Sequence, residues 1–415
     1  MKGIGRYLVR YVPDRAEEVR AALEGIGAPP IAEVLDYYTV ELPEEFVPRA
    51  RALEHVVEIR PERVLSIMGM PVDKKLARFV ELASNPLTFP EALRFSIEAD
   101  AERERWPTSE SRRVLGADEA EAEGYTGEGI KVAVLDTGVD PTIPQCLGVE
   151  GDSSQEGQPL PWDDNGHGCH VLTTACGGEM PTPWGAVKGV APGATVRAFK
   201  CLGYGVGTGT ETGVMRAMMD AIRWGADVVN MSLGSPYSEE SHETIPECRA
   251  IAMLSERGRG RTVFVLANGN DGPGERTVGV PANSPYAVSV GAIDRGGNVA
   301  DFSSRGPTAD GMTKPDVVAP GADILSSTAT GSLIDLMQFM DGPRLASISG
   351  TSMASPHVAG LVALVKQLYR ESGVEFTAGM FLDMMSRFGP VQPKSNAYGW
   401  GVPTWGMAKE YLKTL

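Results

Sequence analysis

Short apolar segments alternate with amphipathic stretches from residue 111 to residue 415. A stretch such as TGVMRAMMDAIRWG (212–225) has the periodicity of a helix that packs one face against a core. Between such stretches, apolar and β-branched runs predict strands: KVAVLD (131–136), TVRAFKCL (195–202), DVVNMSLG (227–234), TVFVLAN (262–268) and YAVSVGAID (286–294). Apolar strands separated by helices are typical of a parallel sheet covered on both faces, so the predicted fold class is α/β with three layers.

Residues 1–68 have a different pattern, in which shorter strands and helices follow one another. The order of strand, helix, strand, helix and strand predicts a small α+β sandwich of the ferredoxin-like kind. The segments are YLVRYV (7–12), a helix at 14–23, IAEVLDYYTVEL (31–42), helical EEFVPRARAL (44–53), and the short strands HVVEI (55–59) and RVLSIM (63–68).

Residues 69–110 are highly charged and helical in pattern, and prolines interrupt them at 71, 86, 90 and 107. We interpret them as a connecting segment with one or two helices that a protease can reach. The predicted organisation is therefore a small domain at 1–68, a connecting segment at 69–110 and a large domain at 111–415.

The composition and charge of the chain argue against some classes of function. The 415 residues are 42% hydrophobic and 22% charged, as in a soluble globular protein with a sizeable core. The net charge of −16 argues against nucleic acid or an anionic membrane as partner, because both attract basic proteins. No apolar run reaches the ~18 residues of a membrane-spanning helix. The first residues lack an uninterrupted apolar segment, which favours a cytoplasmic location over secretion unless a signal peptide has been removed.

The five cysteines (146, 169, 176, 201 and 248) are irregularly spaced and fit neither a disulfide framework nor a zinc knuckle. We interpret them as reduced, buried thiols, with one or two disulfides left open. A zinc site at His167, Cys169 and His170 is disfavoured, because adjacent helical positions point apart and a fourth ligand is missing.

The first candidate for chemistry is Asp136, in the sequence Asp-Thr-Gly after a predicted strand. Aspartic proteases use two such carboxylates that share a proton. A second Asp-Thr/Ser-Gly sequence is missing from this chain, and the surrounding pattern is α/β rather than all-β. A lone orienting carboxylate is therefore the better interpretation.

Such a carboxylate needs a histidine and a nucleophile. His167 begins a helical stretch after a glycine, and Ser352 opens a long apolar helix after Gly-Thr. The free N–H groups at a helix N-terminus suit a serine whose attack creates an oxyanion. Asn270 follows a predicted strand, where its amide could donate a second hydrogen bond to that oxyanion.

Four segments in this order resemble the subtilisin-like serine proteases: VAVLDTGVD (132–140), NGHGCHV (165–171), MSLGSP (231–236) and GTSMASPHVAG (350–360). The resemblance runs from about residue 111 onward and implies a subtilisin-like domain. It implies that Ser352 is the nucleophile, His167 the general base and later acid, and Asp136 the group that orients His167. Asn270 and the Ser352 backbone N–H would form the oxyanion hole.

The same resemblance implies the substrate-binding residues. Ser232, Leu233 and Gly234 would pair with an extended substrate backbone, with Gly207 to Gly209 on its other side. Gly279 would lie near the floor of the primary pocket and leave room for a large apolar side chain, and Asn165 would help to position the leaving side.

Residues 1–68 are similar to the family's inhibitory propeptide, which caps the active-site cleft and assists folding. The chain itself is then an intramolecular partner, in addition to polypeptide substrates. RVLSIM would lead the chain toward the active site, with self-cleavage after Met68, Met70 or another residue up to Ser111.

The resemblance implies no cofactor for catalysis but a structural calcium ion. The family's tight site uses an acidic residue shortly after the Asp segment and a loop after the His helix. Here these are Gln145 and GGEMPTPWGAVKG (177–189), which is nearly devoid of hard oxygen side chains, so we expect that site to be missing. Calcium near Asp140 or Asp294 stays open.

Two other functions remain as alternatives to proteolysis. The same fold could transfer or cyclise peptides if an amine intercepted the acyl-enzyme, which requires a cover against water. No long insertion near His167 supplies one. An inactive binding module is the other alternative, and the complete set of Asp136, His167, Asn270 and Ser352 argues against it.

Overall fold

The computed structural model describes residues 4–67, 104–337 and 344–415. We call residues 4–67 the N-terminal module and residues 104–415 the C-terminal domain. The module has an antiparallel sheet in the order β2-β3-β1-β4, and apolar residues of its first helix pack into a core with this sheet. Its elements are β1 (Ile4–Tyr11), α1 (Ala16–Gly25), β2 (Ala32–Val34), β3 (Tyr37–Pro43), α2 (Val47–Arg51) and β4 (Val56–Pro61).

The last strand of the module, β5 (Val64–Ile67), leaves this sheet. The sequence pattern predicts a strand here but does not indicate its partner. β5 pairs antiparallel with β12 (Thr208–Thr210) and with β14 (Leu233–Gly234) of the C-terminal domain. The reason is burial: Leu65 and Ile67 join the apolar core of the C-terminal domain. Met68 lies outside the described residues.

Most of the predicted connecting segment, up to residue 103, also lies outside the described residues. From residue 104 the chain forms β6 (Trp106–Pro107), α3 (Thr108–Ser111) and α4 (Ala117–Ala122). β6 pairs in parallel with β18 (Ile324–Ser327), so the end of this segment is already part of the C-terminal domain.

A seven-stranded parallel sheet forms the centre of the C-terminal domain, in the order β17-β16-β15-β13-β7-β11-β8. All five strands predicted from the apolar runs belong to it, and the predicted α/β class is confirmed. Its strands are β7 (Lys131–Asp136), β8 (Glu150–Ser153), β11 (Thr195–Lys200), β13 (Val228–Met231), β15 (Val263–Ala267), β16 (Val288–Ile293) and β17 (Val317–Pro320).

Helices cover both faces of this sheet. β7 shows why: Val132 and Val134 point into the core that contains α9 (Thr351–Glu371), whereas Ala133 and Leu135 point into the core that contains α6 (Glu211–Trp224). The remaining elements are α5 (His167–Cys176), β9 (Met180–Thr182), β10 (Gly185–Val187), α6 (Glu211–Trp224), α7 (Pro246–Leu254), α8 (Leu333–Met337), β19 (Leu345–Ile348), α9 (Thr351–Glu371), α10 (Ala378–Phe388) and α11 (Trp405–Leu412).

The core around α6 extends into the N-terminal module. Leu8, Leu65 and Ile67 of the module lie in one apolar cluster with Val214 and Met218 of α6. The two units are therefore joined by buried apolar surface as well as by β5.

Within the described residues, no helix has the length and apolar character needed to cross a bilayer.

Candidate active site

Asp136 and His167 form a buried pair. Asp136 ends β7, and His167 is the first residue of α5, so the carboxyl end of a central strand faces the start of a helix. His167 Nδ1 lies 2.7 Å from Asp136 Oδ1, and each residue is only 1% exposed. A carboxylate at this distance holds the ring proton on Nδ1, which leaves Nε2 as the nitrogen that can accept a proton.

Ser352 lies at the end of the neighbouring strand. β13 pairs with β7 in the sheet, and Ser232 directly follows it. The Ser352 hydroxyl donates to the Ser232 carbonyl oxygen at 3.1 Å, while the Ser232 hydroxyl donates to the Ser352 carbonyl oxygen at 3.0 Å. These two bonds hold the start of α9 against the sheet edge where Asp136 also lies.

The orientation of Asn270 follows from its contacts with Thr351. The Thr351 backbone N–H and hydroxyl both donate to Asn270 Oδ1, at 2.8 and 3.0 Å. Since the side-chain oxygen accepts these two bonds, the amide nitrogen is directed away from Thr351 as a donor. It lies so near Gly350 that a Cβ added there would be 3.2 Å from it. The structure thus brings Asn270 beside the backbone that leads into Ser352.

The strands predicted to bind substrate surround β5. Ser66 of β5 is paired with Thr208 on one side and with Gly234 on the other. Gly209 has no room for a side chain, because a Cβ there would lie 2.1 Å from the Cys201 carbonyl oxygen. The Ile67 backbone N–H also donates to the Gly207 carbonyl oxygen at 2.9 Å. β5 therefore lies as an extended segment between the two strands predicted to bind substrate.

Gly279 and Asn165 lie next to residues that neighbour these strands. The Gly279 backbone N–H donates to the Asn268 carbonyl oxygen at 2.9 Å, and the next residue, Val280, forms a β-bridge with Ser235, the residue after β14. Asn165 accepts a hydrogen bond from the His167 backbone N–H at 3.1 Å, and its amide donates to the Gly205 carbonyl oxygen.

Asp163 is a structural anchor of the site that the sequence motifs did not single out. It accepts hydrogen bonds from the Thr137 hydroxyl at 2.8 Å and from the backbone N–H groups of Gly166 at 2.7 Å and Cys169 at 2.8 Å. One buried carboxylate thus ties the turn after Asp136 to the helix that carries His167. Its place four residues before the histidine was a usable signal.

Lys200 is a second residue that the sequence reasoning missed. Its ammonium group, on a side chain that is 1% exposed, donates to the Thr137 carbonyl oxygen at 2.6 Å and to Asp164 at 2.8 Å. A buried lysine with these partners stabilises the same turn from the neighbouring strand β11. Lys200 lies inside an apolar strand, and nothing in the sequence of that strand indicates its contact with the turn at Thr137.

The other buried histidines of this region have local partners. His170 Nε2 donates to the Ile324 carbonyl oxygen at 2.9 Å, and burial lowers its pKa to about 3. His357 Nδ1 donates to the Met353 carbonyl oxygen at 2.7 Å, and burial lowers its pKa to about 4. Both rings are neutral near neutral pH, as expected for structural side chains rather than proton carriers.

The five cysteines are buried and free of disulfides. Cys169 Sγ accepts a hydrogen bond from the Asp140 backbone N–H at 3.1 Å, and burial raises the pKa of this thiol well above its ordinary value. His167 Nδ1 is bonded to Asp136, and His170 Nε2 to the Ile324 carbonyl oxygen. No cluster of three or more metal-binding side chains occurs in the part of the chain that the structure describes.

Comparison with known proteins adds independent evidence. Residues 127–401 match the model of the subtilase family. The chain belongs to the subtilase family. The matched range contains Asp136, His167, Asn270 and Ser352, whereas the N-terminal module lies outside it.

Three subtilase relatives show how far this similarity extends. M-protease of Shouchella clausii (strain KSM-K16) is 38% identical over 244 residues, 59% of this chain and 56% of the relative. Serine protease AprX of Bacillus subtilis (strain 168) is 35% identical over 264 residues, 58% of each chain. Subtilisin Savinase of Lederbergia lenta is 38% identical over 244 residues, 59% of this chain and 78% of the relative. The match thus spans little more than half the length of the first two.

Gln145, which stands where the family resemblance implies an acidic calcium ligand, is bonded to three neighbouring groups. Gln145 Nε2 donates to the Gly178 carbonyl oxygen and, at 3.3 Å, to the Val187 carbonyl oxygen. Gln145 Oε1 accepts from the Ser327 hydroxyl. Two carbonyl oxygens of the loop after the His helix are therefore bonded to a neutral amide N–H₂ group.

Proposed function

We propose that this subtilase is a serine endopeptidase that hydrolyses peptide bonds through an acyl-enzyme. One observation carries the proposal: the buried Asp136–His167 pair and Ser352 lie at adjacent strand ends, beside a cleft that holds an extended peptide segment. Ser352 is the nucleophile, His167 the general base and then acid, and Asp136 orients His167.

The proposed reaction proceeds in two halves. Ser352 Oγ attacks the carbonyl carbon of the scissile bond while its proton passes to His167 Nε2. The oxyanion accepts hydrogen bonds from the Asn270 amide and the Ser352 backbone N–H. His167 then protonates the leaving amine, the C–N bond breaks and an ester to Ser352 remains. Water attacks this ester by the same route, releases the acid and returns the proton to Ser352.

Asp136 acts in both halves through His167. When His167 takes a proton, the ring becomes a cation 2.7 Å from the Asp136 carboxylate, in a site that is shielded from water. Such an ion pair is stronger there than in bulk solvent, which stabilises the transition states of both halves.

The N-terminal module acts as an inhibitor in this proposal. β5 occupies the position of a substrate strand and is paired on both sides, so the cleft is closed while the module stays bound. Self-cleavage between Met68 and Ser111 would convert the module into a separate fragment that must dissociate before other substrates enter. If Gly279 lines the primary pocket, its missing side chain leaves room for a large apolar residue before the cleaved bond.

A covalent probe tests this proposal directly. The purified chain is incubated until an N-terminal fragment appears by intact mass and is then treated with a fluorophosphonate. We expect a single adduct on Ser352, found by peptide mass spectrometry, and loss of peptide hydrolysis in proportion to labelling, because only an activated serine reacts. Labelling of another serine, or hydrolysis that continues after complete labelling, would contradict the proposal.

The products of the peptide hydrolysis assay also distinguish hydrolysis from peptidyl transfer. With a peptide amine added as a competing acceptor, an endopeptidase still releases mainly the free acid from its substrate. If most of the product carried the added amine, the chain would be a peptidyl transferase with the same nucleophile.

Gln145 leads to a prediction about metal removal. The Gln145 amide donates hydrogen bonds to the Gly178 and Val187 carbonyl oxygens, in place of a cation. We therefore expect a chelator to shift the melting temperature by less than about 2 °C and to leave the rate of peptide hydrolysis unchanged. The measurement is a thermal scan and a rate assay with EDTA and with excess calcium. A large fall in either quantity with EDTA would show that the chain holds calcium elsewhere, for example near Asp140 or Asp294.

A further inference from the structure

Two buried carboxylates lie at the far end of the cleft, away from Ser352 along β5. Glu211 is the first residue of α6 and Glu247 the second residue of α7, and the side chains of both are 0% exposed. The two helices pack against each other, which places both carboxylates beside the start of β5.

A single arginine of the N-terminal module is bound between them. Arg63 Nε lies 2.8 Å from Glu211 Oε1, and Arg63 Nη2 lies 3.1 Å from Glu247 Oε2. The Arg63 backbone N–H donates to Glu211 Oε2 at 2.8 Å, and the Glu211 backbone N–H donates to the Arg63 carbonyl oxygen at 3.3 Å. The residue is therefore held by its main chain and by its guanidinium group.

The C-terminal domain does not neutralise these carboxylates by itself. Among the described residues, neither Glu211 nor Glu247 forms an ion pair with a lysine or arginine of that domain. Glu247 Oε1 is buried without a hydrogen-bond partner within the described ranges. Burial and the neighbouring Glu211 carboxylate raise the pKa of Glu247 to about 8. A buried carboxylate pair of this kind requires a cation, and here the strand in the cleft supplies it.

We propose that Glu211 and Glu247 form a substrate subsite for a basic side chain, two residues before the residue that occupies the place of Leu65. The inference rests on the proposed endopeptidase function, because it treats β5 as a guide to the path of a substrate. β12 and β14 bind main-chain groups, so other extended peptides follow the same path and bring their own side chain to the place of Arg63. If the cut follows Met68, this is the sixth residue before the cleaved bond.

The contact favours arginine over neutral side chains of the same shape. A guanidinium group can bond both carboxylates at once, as Arg63 does, whereas citrulline keeps the size but not the charge. An acidic residue would place another carboxyl group beside this buried pair, without a cation between them. The subsite should therefore rank arginine first, citrulline second and glutamate last.

Internally quenched peptides with the sequence of residues 61–72 test the subsite. The position of Arg63 carries arginine, citrulline or glutamate, and kcat/KM is measured with the full chain after it has released its N-terminal fragment. We expect the arginine peptide to be cleaved at least ~10-fold more efficiently than the citrulline peptide, because its guanidinium group pairs with carboxylates that are buried from water. Mass spectrometry of the products confirms that all peptides are cut at one bond.

The variant E247Q assigns the preference to this site. It should reduce the arginine-to-citrulline ratio by at least ~5-fold, because the variant keeps the size of the side chain and loses the carboxyl group that bonds the guanidinium. E211Q provides a second variant if E247Q does not fold. Equal cleavage of the arginine and citrulline peptides by wild type would overturn the subsite while leaving the endopeptidase intact. If no peptide were cut and Ser352 stayed unlabelled, the endopeptidase and the subsite would both be wrong.

Discussion

Ser352→Ala is expected to lower the kcat for peptide hydrolysis by about 10⁶, the size of the loss that the same removal causes in subtilisin itself. The hydroxyl is the only group of the protein that bonds to the substrate carbon in the proposed mechanism, so the remaining hydrogen bonds cannot replace it. Alanine removes one buried oxygen that bonds the Ser232 carbonyl, and the fold should persist. Peptide hydrolysis by the wild-type and variant chains, after the same incubation, provides the measurement.

The intact mass of the Ser352→Ala chain gives a second readout. The variant should remain a single chain while the wild type loses its N-terminal fragment. Ser372→Ala is the matched control, because Ser372 is exposed at the other end of the same helix. A Ser352→Ala chain that released the fragment at the wild-type rate would show that another protease, or another nucleophile, makes this cut.

Asp136→Asn is expected to slow both self-cleavage and peptide hydrolysis by about 10⁴. An amide N–H₂ group facing His167 Nδ1 would hold the ring in the other tautomer, with the proton on Nε2, where it can no longer accept the proton of Ser352. The size is nearly preserved, so the loss reports the tautomer rather than packing. The rate of appearance of the first fragment by intact mass measures it.

Asp152→Asn is the control for the loss of one carboxylate near the same sheet. Asp152 lies on β8 with a side chain that is 49% exposed, and it pairs with Arg197 on the surface. Its change should leave both rates within ~2-fold of wild type, since exposed pairs contribute little. If Asp136→Asn kept a tenth or more of the wild-type rate, Asp136 would not be the orienting group.

Much of the fold could be predicted from short segments of the sequence. The five strands predicted from apolar runs lie in one parallel sheet, because a strand that is buried on both faces must be apolar along its whole length. Asp136, Ser232 and Asn270 were expected near strand ends, and each follows or ends a strand at the same edge of this sheet. Their roles as catalytic and oxyanion-binding groups remain predictions until the variants are measured.

The pattern of apolar and polar residues does not predict which distant segments of the chain come into contact. The period of apolar residues indicates that RVLSIM is a strand but does not name its partner, and β5 pairs with β12 and β14 instead of β4. Asp163 and Lys200 were not assigned to the site from the sequence, because a charged residue in a sequence is far more often solvated than buried. Only packing shows that both bond the turn at Thr137.

The sequence by itself determined the family, the α/β class and the four polar residues of the proposed mechanism, because each depends on residues within a short segment. Tertiary structure alone decided what fills the cleft and what lies at its far end. Arg63 meets Glu211 and Glu247 across 148 and 184 residues of chain. Such a cluster leaves no local signal, since each of its members satisfies its charge only after the two units have packed together.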